Sequence, residues 1–111
     1  MESILTSIKV MLGINEDDTS FDAHIIIHIN SVFMVLNQLG LGPSEGFSIE
    51  DETTQWIDFL PDLVRIGALK SYMYMKVRLL FDPPTSSAVS ESMNRLIDEF
   101  EFRLNIAAET T

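Results

Sequence analysis

The decisive stretch is "VRLLFDPPTSSAVSESMNRL", residues 77–96. A dense apolar run meets two adjacent prolines, and small hydroxylated residues then lead into a second patterned segment. Proline lacks a backbone donor and clashes with the preceding turn, so a helix arriving through Val77 must stop before Pro83. The residue before a proline is pushed to extended geometry, which places a corner at Asp82 and Pro83. Thr85, Ser86 and Ser87 offer hydroxyls to cap a new helix. The expectation is therefore two helices joined by a rigid reversal.

Upstream of the corner, Ile66, Leu69, Met73, Val77 and Leu80 repeat at helical spacing and predict a helix over about 62–81. Tyr72, Met75 and Leu79 form a second apolar strip, so this helix should be central. Downstream, Val89, Met93, Leu96, Ile97, Phe100 and Leu104 form one stripe on a helix over about 86–107. Its other side is polar, with Glu91–Arg95 and Glu99–Arg103 spaced as i,i+4 pairs. Phe102 lies off the stripe.

Further upstream, Ile25, Ile29, Val32, Phe33, Leu36 and Leu39 mark a helix over about 20–39, with Thr19 and Asp22 at capping-box spacing. Ile26, Ile27, Met34 and Val35 carry apolar character around most of its circumference. A helix apolar all round is usually central or covered by another chain. Ile27 and Met34 lie away from the main stripe and are candidate subunit contacts, as is Phe102. A short amphipathic helix over about 2–12 ends at Gly13. Residues 40–61 carry three of the five glycines and read as an irregular loop or short helix. The reading is an all-α fold: one domain over 1–111, built as a small four-helix bundle with a C-terminal tail after about 105. Its expected core is Ile25, Ile29, Phe33, Leu36, Leu69, Met73, Val77, Leu80, Met93, Leu96, Ile97 and Phe100.

Composition narrows the function. The 111 residues suit a single domain, and 46% of them are apolar with a mean hydropathy of +0.17. That is more apolar surface than a small interior hides, which points to cover from a partner. There are no cysteines, so disulfides and thiolate chemistry are excluded. The N-terminus "MESILTSIKV" has no basic region and is not read as a signal peptide. The apolar runs at 25–36 and 63–81 are interrupted by His28, Asn30 and four basic residues, and are read as buried helices, not membrane spans. The net charge of −10 opposes a gripping nucleic-acid binder.

No chemistry-bearing constellation emerges. His24 and His28 share a helix face, but no third ligand is in view and the glutamate of the zinc-protease pattern is missing. "NEDDTSFD" lacks the alternation, glycine and final glutamate of a calcium loop. No serine stands in a nucleophile elbow. The reading is no enzyme, no metal and no cofactor. One alternative is an acidic DNA mimic or regulatory module, motivated by the charge alone.

The order of features is similar to a known family. A short helix ending "MLGI", the acidic link "NEDDTSFD", the apolar helix "AHIIIHINSVFMVLNQLG", a variable loop, the helix "RIGALKSYMYMKVRLLFD", a proline break and the last helix "NRLIDEFEFRL" together resemble the head–tail connector, or adaptor, proteins of long-tailed phages. The resemblance covers roughly residues 3–106. It implies a structural protein of the virion neck, made in the bacterial host cytoplasm. It further implies a homo-oligomeric ring below the portal protein that extends the DNA channel without sequence-specific binding. The ring would dock the next neck, or stopper, protein. It assigns portal docking to the C-terminal stretch, here Asn105 and Ile106.

Overall fold

A computed structural model of the protein describes residues 2–109. It contains α1 (Ile4–Met11), α2 (Asp22–Gln38), α3 (Trp56–Phe59), α4 (Leu63–Phe81) and α5 (Ser87–Glu109), with no strand among the described residues. The fold is all-α, and α4 is its centre, touching each of the other four helices. The two apolar strips of α4 explain this place: Leu69, Met73 and Val77 are buried on one, Tyr72 and Met75 on the other.

Helix ends follow local chemistry. Ser3 caps α1 by accepting from the Thr6 amide at 3.2 Å. Asp62 caps α4 by accepting from the amides of Val64 and Arg65. The proline corner stands where the sequence puts it: Asp82 leaves helical geometry, though its ψ falls short of the extended value expected (φ −147°, ψ 71°), and the Ser86 hydroxyl accepts from the Val89 amide. The capping box expected at Thr19 and Asp22 does not form. Phe21 holds the cap position of α2 without a side-chain bond, because the Asp22 carboxylate turns to Lys9, 2.9 Å away. Lys9 is buried and also donates to the Glu16 carbonyl at 3.0 Å. The last helix also differs. It continues to Glu109, so the stretch after 105 expected as a tail is helical as far as it is described.

The core joins Ile25, Ile29, Phe33 and Leu36 of α2 to Leu69, Met73 and Val77 of α4, and to Met93, Ile97 and Leu104 of α5. Two expected core residues are not in it: Leu80 is 54% exposed and Leu96 46%. Phe100 is only partly buried, packed against the core. The reason is the number of neighbours. Helix α5 packs chiefly on α4 and reaches α2 only at its end, so it buries a narrow seam. Leu96 stands ~100° around the axis from Ile97 and falls outside that seam. Leu80 borders an open α4–α5 groove with Asn94.

The 40–61 segment folds back over the core and buries Leu41, Ile49, Trp56 and Phe59. Three fixtures hold it. The Asn30 amide bonds the Ile49 backbone in both directions, at 2.8 and 3.0 Å. The Trp56 indole donates to the Ser7 hydroxyl at 2.8 Å. The rings of Phe33, Phe47 and Phe59 pack with centroids 4.7–5.2 Å apart. Gly42 (φ +78°) lies against this cluster, where a Cβ would stand 2.3 Å from the Phe59 ring.

Candidate interaction surfaces

Helix α2 buries one face and leaves another without a partner. Ala23, His24, Ile27, Ser31, Met34 and Gln38 are exposed along its outer side. Ile27 is 62% exposed and Met34 67%. The Ser31 hydroxyl is spent on the Ile27 carbonyl at 2.8 Å, which makes the strip less polar than its composition. No Asp, Glu, Lys or Arg occurs between Asp22 and Glu45, in a chain of net charge −10. Depletion of charge around protruding apolar side chains is the compositional mark of an interface core.

A second surface is a groove of about 490 Å³ between α1 and α4, lined by Thr6, Val10 and Met11 on one wall and Gly67 and Ser71 on the other. Val10 is 59% exposed there. Glu2 and Lys70 at the rim form an ion pair with each other. The sequence reading missed this groove. Val10 lies off the apolar stripe of α1, and that displacement was the available signal.

The third is the outer side of α5. Phe102 is exposed, and Ile106 stands one turn further on. They are accompanied by the Glu99–Arg103 ion pair at 2.6 Å and by Arg95. Arg95 donates to the Ser92 hydroxyl, in place of the pairing with Glu91 expected from spacing. Asn105 is half-buried, and its amide donates to the Leu39 carbonyl at 3.4 Å, fastening the end of α5 to the end of α2. On the inner side, the Tyr72 hydroxyl donates to Glu101 at 2.6 Å, with Lys76 3.7 Å from the same oxygen. Burial, then the bond to the Glu101 carboxylate and its charge, pushes the Tyr72 phenol well above the usual tyrosine range.

Glu16, Asp17 and Asp22 of the first link share a depression with Glu52 of the 50–52 turn, with Lys9 among them. Asp18 and Asp51 in these loops are held below the usual carboxylate range by hydrogen bonds from Ser20 and Thr53. His24 is exposed, and His28 is half-buried with its ring edge-on to Phe81 at 6.4 Å. Among the described residues no three His, Asp or Glu side chains are grouped to hold a metal, and no helix is long and apolar enough to cross a membrane.

Set against known families, residues 4–111 match the family model described as "Phage connector protein". No curated protein and no solved structure gives a match.

Proposed function

Because the chain belongs to the phage connector protein family, we propose that it works as a structural part of the virion neck, forming a ring under the portal. In this reading the ring extends the DNA channel and presents its far side to the next neck protein. The observation that carries the assembly is the uncharged outer face of α2, with Ile27 and Met34 projecting from it. A surface of that kind is costly on a free monomer and suits a neighbour of the same composition.

The acidic depression supports the channel role. Carboxylates of the 15–22 link and the 50–52 turn stand together there, around Lys9. Placed at the lumen they would repel phosphates and keep DNA from adhering to the wall. Ile106 offers an exposed apolar side chain for the portal, whereas Asn105 serves to fix the helix that presents it.

Mixing the purified chain with portal complexes encoded beside it tests the reading. The expected product is a portal carrying a closed ring of this protein. A folded chain that leaves the portal bare would overturn it. Retention on a DNA-binding enzyme in place of the portal would favour an acidic DNA mimic.

A further inference from the structure

Two surfaces share a property: among the described residues, neither presents an unpaired charge. One is the convex outer face of α2. The other is the concave groove between α1 and α4, where the rim charges among the described residues, Glu2 and Lys70, neutralise each other.

Their dimensions agree. Ile27 and Met34 are seven residues apart, so they project roughly 10 Å from one another along the helix. The eight residues of α1 give the groove a wall about 12 Å long. The opposite wall is open at Gly67, where an added Cβ would meet nothing within 4 Å. The exposed apolar residues of α5 fit the α2 face less well. Phe102 and Ile106 stand among Arg95, Glu99 and Arg103, and the neutral α2 face offers those charges no partner once they are desolvated.

We propose, building on the connector reading, that the α2 ridge of one copy seats in the α1–α4 groove of the next, with Ile27 and Met34 between Val10, Met11 and Gly67. The two patches share no residue, so the contact is head-to-tail. That is the kind of contact which closes into a ring when its rotation allows.

The chain has no cysteine, so every thiol in the test is an introduced one. Met34→Cys marks the ridge, Ser71→Cys marks the groove with little change of volume, and the exposed Ser48→Cys is a control. Equal mixtures of single-cysteine chains are oxidised at high concentration in solution, and again on portal complexes, then resolved on non-reducing gels. The expected result is a Met34–Ser71 cross-link several-fold above either homodimer and above every mixture with the control. A dominant Met34–Met34 product would mean that α2 pairs with itself about a twofold axis. Either that product or yields at control level in both settings would overturn the proposal. The connector reading fails separately: unmodified chains that do not bind the portal sink it, whereas portal rings without the ridge–groove cross-link sink only this contact.

Discussion

Asn30→Ala tests how the long 40–61 segment is held to the core. The Asn30 amide is the one side chain that pairs with both backbone groups of Ile49, and Ile49 is 2% exposed. A hydrogen bond contributes about 0.5–1.5 kcal/mol, and a buried group left without a partner costs ~1–3 kcal/mol. Two such groups, with water reaching one of them through the half-buried Asn30 site, give an expected loss of about 2–3 kcal/mol. At ~2.1 cal/mol/K of unfolding entropy per residue, that loss lowers the melting temperature by about 10 °C. Thermal unfolding followed by circular dichroism measures the shift, and amide exchange at Ile49 localises it. Asn30→Asp is the sharper probe. It keeps an acceptor for the Ile49 amide but turns a second acceptor onto the Ile49 carbonyl, so at pH 7 it should cost at least as much as alanine. A protonated carboxyl regains the donor, so the folded pKa of Asp at this position lies above its unfolded value of ~3.9. Relative to the unsubstituted chain, its penalty is full above the folded pKa and shrinks as pH falls toward the unfolded value. A shift below ~2 °C for alanine, or unchanged exchange at Ile49, would refute the reasoning.

Other perturbations test other parts. Tyr72 should stay neutral at pH values where free tyrosine ionises, near ~10, so Tyr72→Phe should leave the rise in tyrosinate absorbance there unchanged. Its phenol pKa is raised on folding, so its contribution to stability is complete below ~10 and is lost as pH climbs toward the folded value. Gly42→Ala drives a methyl into the Phe59 ring from a left-handed backbone position and should destabilise by roughly 2–4 kcal/mol in urea unfolding. Leu80→Ala and Leu96→Ala should each cost less than about 1 kcal/mol, whereas Ile97→Ala, at 4% exposed, should cost ~2–4 kcal/mol. Equal costs would contradict the narrow seam between α4 and α5.

The helices were legible because their apolar periodicity is a local property. The α2 stripe from Ile25 to Leu36, the double strip of α4 and the Pro83–Pro84 corner could all be read along the chain. What stayed hidden depends on which element meets which. The α5 stripe is wide enough for two neighbours, yet α4 alone covers most of it, so Leu96 and Val89 remain in solvent. Capping at Thr19 and Asp22 satisfied the spacing rule, but Asp22 was claimed by Lys9, thirteen positions away in sequence. The pairing of Asn30 with Ile49 and of Trp56 with Ser7 likewise joins distant positions that no periodicity connects. Of the candidate contacts, Ile27, Met34 and Phe102 were identified as off-stripe apolar residues, and all three are exposed. The α1–α4 groove was not, since a concavity depends on how two elements distant in sequence are placed against each other.

Electron microscopy of portal complexes incubated with this chain, beside chains carrying Ile27→Asp and Met34→Asp, tests the central claim most directly. Both substitutions lie on an exposed face and should change folding stability by no more than ~0.5 kcal/mol. The account predicts a ring of density under the portal with the unsubstituted chain and none with the double variant. Portals left bare by the folded, unsubstituted chain, or decorated equally by both, would contradict it.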